Sequence, residues 1–238
     1  MNSLLSLILF SSLVTSVGSA NADPSKLKNF SAEYHGYKGP IKVAISNLSL
    51  QGDKTSFTYS SRSRTVGIVA ELSGDVITEV SKWVLENNKI KVNEYSYRHK
   101  KDKKVKKFKS IRFDWANKTA NTRSHKNPKV IAVKITDGTI DRFTLRLAMM
   151  SDMLATGKVP DYTIIDIGKL KTYHFQVLGK RKIKTPAGTF DTVLLKKSRK
   201  NKKRVTLMWC APKLNFLPVK IQHIEKNGSK LSLLLSKV

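Results

Sequence analysis

Four short stretches decide the fold: Y-H-F-Q-V at Tyr173–Val177, V-T-L-M-W at Val205–Trp209, L-P-V-K-I at Leu217–Ile221 and L-S-L-L-L at Leu231–Leu235. In each, apolar side chains recur at every second position, which in an extended chain places them on one face of a sheet. The links between such stretches are short and carry turn chemistry. Thr185-Pro186-Ala187-Gly188-Thr189-Phe190 offers a proline that presets φ and a glycine free to take positive φ. Lys226-Asn227-Gly228-Ser229 contains Asn-Gly, the strongest short hairpin signal. The C-terminal third is therefore predicted to be an antiparallel meander.

The same alternation runs back through the chain. Ile41, Val43 and Ile45; Phe57 and Tyr59; Val66, Ile68, Ala70 and Leu72; Ile90 and Val92 with Tyr95 and Tyr97; and Ile111, Phe113 and Trp115 each predict a strand. Turns are expected at Gln51-Gly52-Asp53, Ser73-Gly74-Asp75 and Asn87-Asn88. One segment breaks the pattern. Ile140, Phe143, Leu147, Met150 and Leu154 follow helical spacing, with Asp137 or Thr139 able to cap the start and Gly157 and Pro160 ending it. The expected fold is mainly β: a single antiparallel curved sheet, or a partly open barrel or meander. One amphipathic helix at about 139–155 packs across its concave face or plugs one end. No Pro/Ser/Gly-rich linker divides the chain, which reads as one domain from residue 23 to 238.

Residues 1–22 are read as a signal peptide. Residues 4–17 form an apolar run of signal length, and Ala20 and Ala22 occupy the small positions of a cleavage site, with the mature start at Asp23. An uncleaved anchor is the alternative reading of the same run. No later segment has the length of apolar sequence that a spanning helix requires, so a soluble mature protein is expected. The lone Cys210 excludes an internal disulfide framework; at the end of an apolar strand it is expected to be buried.

With 45 Lys and Arg against 17 Asp and Glu, the formal charge is +28, yet 40% of residues are hydrophobic, so the charge must decorate a folded body. It is concentrated. Arg98–Lys109 carries +7, through Arg98, Lys100, Lys101, Lys103, Lys104, Lys106 and Lys107 together with Lys109, offset by Asp102. Lys196–Arg204 carries another +7, through Lys196, Lys197, Arg199, Lys200, Lys202, Lys203 and Arg204. Lys180–Lys184 adds +4. Both large clusters lie between strands and read as hairpin tips. As basic fingers they would contact an anionic envelope component: a lipid headgroup, lipopolysaccharide or an acidic polymer. That contact would be peripheral to the membrane. A solvated, aggregation-resistant loop is the plainer reading of the same lysines.

Little points to catalysis. The five histidines form no metal-ligand spacing, and there is no nucleophile elbow or phosphate loop. No catalytic residue, cofactor or metal site is assigned, and a non-enzymatic role is expected. An envelope-modifying enzyme would have to use scattered residues such as His174, His223 and Asp166. Specific nucleic-acid binding is not expected, because the basic clusters lack interleaved aromatics for stacking on bases. A barrel with a helix across it can enclose an acyl chain, which keeps a lipid-carrier reading open; a filled core uses the same residues.

Several landmarks together carry a resemblance: F-S-A-E-Y at Phe30–Tyr34, E-x-S-x-W at Glu79–Trp83, N-E-Y-S-Y at Asn93–Tyr97, F-D-W at Phe113–Trp115, T-P-A-G-T-F-D-T-V at Thr185–Val193, and W-C-A-P with L-P-V-K within Trp209–Lys220. Over nearly the whole mature chain the sequence resembles the bacterial exported proteins grouped as Domain of Unknown Function family 3108. The resemblance implies a periplasmic, mainly antiparallel β protein of a Gram-negative bacterium, and it brings no catalytic residues. A looser likeness of architecture is to periplasmic lipoprotein carriers, whose half-barrels hold acyl chains beneath helices.

Overall fold

Strand follows strand along almost the entire chain, each pairing with the next. The computed structural model describes residues 27–87 and 89–238. The apolar leader, the cleavage signal at Ala20 and Ala22, and the expected start at Asp23 lie outside the described residues, as does Asn88 of the Asn87-Asn88 turn. From the N-terminus the strands are β1 (Phe30–Lys38), β2 (Ile41–Gly52), β3 (Ser56–Thr65), β4 (Val76–Glu86), β5 (Lys89–Lys101), β6 (Lys104–Asp114), β7 (Thr119–Ser124) and β8 (Ile131–Lys134). After β9 (Ile140–Asp141) and a helix come β10 (Tyr162–Asp166), β11 (Lys169–Thr185), β12 (Gly188–Ser198), β13 (Val205–Ala211), β14 (Leu217–Ile224) and β15 (Lys230–Lys237). They form one open sheet of 15 strands in the order β8 to β1, then β15 down to β9. Pairing of β1 with β15, Lys38 opposite Leu231, joins the two halves of the chain. Every pairing is antiparallel except the short β9–β10 contact.

The sheet coils until its two ends meet through side chains. Lys109 of β6 reaches Asp166 of β10 at 2.9 Å, and the Gly168 amide donates to Thr122 Oγ1 of β7 at 2.9 Å. Helix α2 (Leu145–Thr156) crosses the enclosed space. At one wall Phe143 stacks on Tyr59 of β3, ring centroids 4.1 Å apart; at the other Met149 meets the buried Cys210 of β13. The helix starts later than its apolar spacing predicts. The buried Asp141 carboxylate accepts the Phe143 and Thr144 amides and the Ser81 and Thr144 hydroxyls, so residues 140–144 become a short strand and a turn. Thr144, rather than Asp137 or Thr139, holds the N-cap position; Asp137 pairs with Lys118, and Thr139 with Thr136. Gly157 closes the helix in the left-handed conformation expected of a C-terminal glycine.

The expected strand at Val66–Leu72 is a correction. Those residues form α1 (Ile68–Ser73), a short helix between Gly67 and Gly74, with Ile68 and Leu72 exposed at 68% and 76%. Residue 66 already leaves β3, and although α1 borders β2 and β3, leaving Val66 and Ala70 half-buried, Ile68 and Leu72 point into solvent. The alternation there does not mark a strand with one buried face.

Because successive strands are antiparallel, turns alternate between the two ends of the barrel. The turns β1–β2, β5–β6, β10–β11, β12–β13 and β14–β15 all emerge at the same end. Toward the opposite end, Leu50, Tyr59, Trp83, Val92 and Leu195 are almost fully buried and, with the α2 side chains, fill the interior.

Candidate functional site: a cationic chamber at the basic end

At the end where those five turns gather, the inward-facing pattern changes. Moving toward it, Leu48 gives way to Ser46 on β2, Tyr59 to Ser61 and Ser63 on β3, Trp83 to Glu79 on β4, Leu195 to Lys197 on β12, and Ile221 to His223 on β14. The result is a chamber of about 570 Å³, floored by α2 and opening at the basic end. Its wall holds seven Lys or Arg and three carboxylates, an excess of four positive charges with histidine neutral. Most of these cations are compensated. Arg142 Nε lies 3.3 Å from Glu79, which also accepts from the Tyr95 hydroxyl; Asp166 binds both Lys109 and Lys171; Arg204 meets Glu225 at 2.5 Å. Burial pushes the Asp166 carboxyl up, but the hydrogen bonds from Lys171 and Lys109 outweigh it and hold the group below the usual carboxylate range.

Three cations are different, and Arg199 at the mouth is one of them. Among the described residues neither Arg146 nor Lys197 is paired with a carboxylate. Arg146 lies on α2, and its guanidinium donates only a long hydrogen bond to the Tyr59 hydroxyl at 3.3 Å. Lys197 Nζ sits 4.9 Å from the centre of the Tyr173 ring, with Arg199 on the same ring at 5.6 Å. Desolvation, with the Arg146 and Arg142 charges, brings the Lys197 ammonium down to about 8. Desolvation and the same cations, Lys197 included, bring His223 down to about 4, so it is a neutral ring bonded to the Thr206 hydroxyl at 3.0 Å.

The basic residues expected at hairpin tips separate into groups. Arg98, Lys100, Lys103, Lys104, Lys106 and Lys107 are exposed on the β5–β6 hairpin, and Lys101 is half-buried beside its turn. Lys200, Lys202, Lys203 and Arg204 are exposed in the β12–β13 loop, while Arg199 lines the mouth of the chamber. Lys196 and Lys197 are a correction: both belong to strand β12 rather than to the tip, and Lys197 faces the interior because its position continues the inward series of Leu195. Lys180–Lys184, on β11, runs toward the opposite end of the barrel. Sequence spacing therefore missed the chamber; its one trace was the loss of apolar character at the same end of several strands.

His174 does not join the chamber. It is held by Asp161 at 2.7 Å on the outer cleft beside Arg199 and Lys200. His223 and Asp166 both line the chamber, Asp166 engaged by its two lysines and His223 by Thr206. Among the described residues no three His, Cys, Asp or Glu side chains group as metal ligands.

Comparison with solved structures shows the same architecture elsewhere. The chain is similar to a β-barrel-like protein of Domain of Unknown Function 1849 from Brucella abortus, with a TM-score of 0.57 at 9% identity, covering 88% of this chain and 96% of that one. Weaker matches are a protein described as a lipoprotein from Parabacteroides distasonis (TM-score 0.34, 11% identity, 89% of this chain and 95% of that one) and one described as an exported protein with a YmcC-like fold from Bacteroides fragilis (TM-score 0.32, 7% identity, 87% and 93%). No curated protein matches the chain. The family described as "Protein of unknown function (DUF3108)" matches residues 30–236, nearly all of the folded chain, and the protein belongs to it.

Proposed function

We propose that this protein is a non-enzymatic, exported binding protein of the cell envelope that docks peripherally on an anionic lipid surface through its basic end. The observation that carries the reading is topological. The Arg98–Lys107 and Lys200–Arg204 clusters lie far apart in sequence, and both flank turns at the same end of the barrel. Ten exposed cations there present one charged face, and each Lys or Arg close to an anionic membrane contributes about 1 kcal/mol. The apolar leader and its cleavage signal support export, and the family resemblance supports the periplasm. The test is co-sedimentation of the mature protein with vesicles at physiological salt. Binding to vesicles containing phosphatidylglycerol, none to phosphatidylcholine vesicles, and loss on replacing Lys103, Lys104, Lys106, Lys107, Lys200, Lys202 and Lys203 by Ser are expected. Equal partitioning onto both vesicle types, or no effect of the seven replacements, would overturn the reading.

A further inference from the structure

The docking face accounts for the outer lysines and leaves the chamber behind it unexplained. Arg146 and Lys197 converge on the same enclosed space without carboxylate partners, beneath a mouth lined by Arg199. Uncompensated charge partly withdrawn from bulk water is unfavourable, and a fold selected for stability alone would place Met or Leu there, as it does at Leu195 beside Lys197 on β12 and at Met149 and Met150 beside Arg146 on α2. On the same wall Arg142, Lys109, Lys171 and Arg204 have acidic partners, whereas among the described residues Arg146 and Lys197, with Arg199 above them at the mouth, have none.

The remaining wall suits the same chemistry. Thr206 supplies a hydroxyl beside the neutral ring of His223, and the linked hydroxyls of Ser46 and Ser63, 2.8 Å apart, supply more. Arg offers a planar fork and Lys a mobile ammonium, the pair that suits a tetrahedral dianion. Beneath them Met149 and Met208 give an apolar floor that suits a small organic group.

We propose that the chamber binds the phosphoryl group of a small phosphate monoester, with Arg146 and Lys197 as its principal ligands. The shared chemistry is a phosphate dianion; its source is either a free phosphate ester or the head of a lipid drawn from the surface on which the basic end rests. The inference goes beyond surface docking and stands without it.

The experiment uses the mature protein with two probes, glycerol 3-phosphate and dihexanoyl phosphatidic acid below its micelle concentration, with dihexanoylglycerol as the uncharged control. Calorimetry at physiological salt gives affinity and stoichiometry, and NMR titration of the Lys197 ammonium reports the site. At least one phosphate probe is expected to bind one to one, to raise the Lys197 ammonium from its value of about 8, and to be weakened about tenfold or more by Arg146→Gln and by Lys197→Met. Because each replacement removes an unpaired interior charge, melting temperature is expected to hold or rise, which a structural role for these cations would not allow. Should Arg146→Gln fail to fold, Lys197→Met and Lys197→Gln carry the test. Binding of glycerol 3-phosphate identifies a free ester as sufficient; binding of phosphatidic acid alone identifies a lipid head. The seven-serine variant of the basic end is expected to bind the probes as the parent does, so loss of vesicle docking with chamber binding intact leaves this proposal standing. No binding of either probe, binding unchanged by the chamber variants, or binding abolished by the seven outer replacements would overturn it.

Discussion

His223 and Lys197 occupy positions where the period-two pattern ordinarily places an aliphatic side chain. Both are shifted toward the uncharged form by desolvation and neighbouring cations, which leaves His223 neutral while Lys197, at about 8, stays mostly protonated at neutral pH. For His223 the sign follows from the folded value of about 4 against an unfolded value near 6.5. The folded protein binds fewer protons than the unfolded chain between those values, so stability is lost as pH falls through that window. Between pH 7.5 and 5 the parent protein is expected to lose about 2 kcal/mol more stability than His223→Gln, whose amide keeps an acceptor for Thr206. Urea unfolding at the two pH values measures it; parallel pH dependence of parent and variant would show that His223 is solvated. The sequence could name both residues but not their surroundings, because a half-apolar strand reads identically whether its polar positions face water or a chamber.

Elements were legible where pattern and packing agree. Asn-Gly at Asn227-Gly228 and the Pro-Ala-Gly turn fall where hairpins form, and the meander between them follows from alternation with burial on one face. Element α1 shows the converse. Its alternating apolar residues lie on a connection with no partner strand, and local helix wins between two glycines. The β5–β6 turn is a third case. Asp102 and Lys103 both adopt positive φ, 48° and 65°, as a two-residue hairpin of this hand requires, yet neither is Asn or Gly. Charge density has been favoured over turn preference. Replacing the pair by Asn-Gly is expected to stabilise the protein by about 0.5–1 kcal/mol in thermal or urea unfolding. The gain should come without loss of vesicle binding, since most of the hairpin's lysines remain. A destabilised variant would mean that Asp102 holds the tip through contacts outside the turn.

At the scale of the whole molecule, a 15-stranded sheet has two ends, and here they are joined by polar contacts instead of a ladder. Asp166 is the hinge of that closure. It bonds Lys109 from the N-terminal half and Lys171 from the C-terminal half, and its oxygens are largely shielded. Asp166→Asn leaves two lysines facing one another without a carboxylate and is expected to cost about 2–3 kcal/mol, less than a fully buried pair because the lysines keep some solvent access. Hydrogen exchange should then rise first along β8, β10 and the Gly168 turn. Uniform loss of protection across all strands would place the closure elsewhere.

Alternation, turn residues and the helical spacing after residue 139 by themselves determined a mainly β chain with one helix, because these are local periodicities that any compact fold of the chain must bury. They also determined that +28 is carried largely by three short segments. Which strand ends share a side, and which lysine turns inward, depended on pairing partners more than a hundred residues apart, such as Tyr34 with Pro218 and Glu33 with Lys237. Register along that coiled sheet turned Lys197 toward the chamber that Arg146 of α2 also lines. Only the tertiary structure could decide this, since a side chain's environment is made by the other elements it meets.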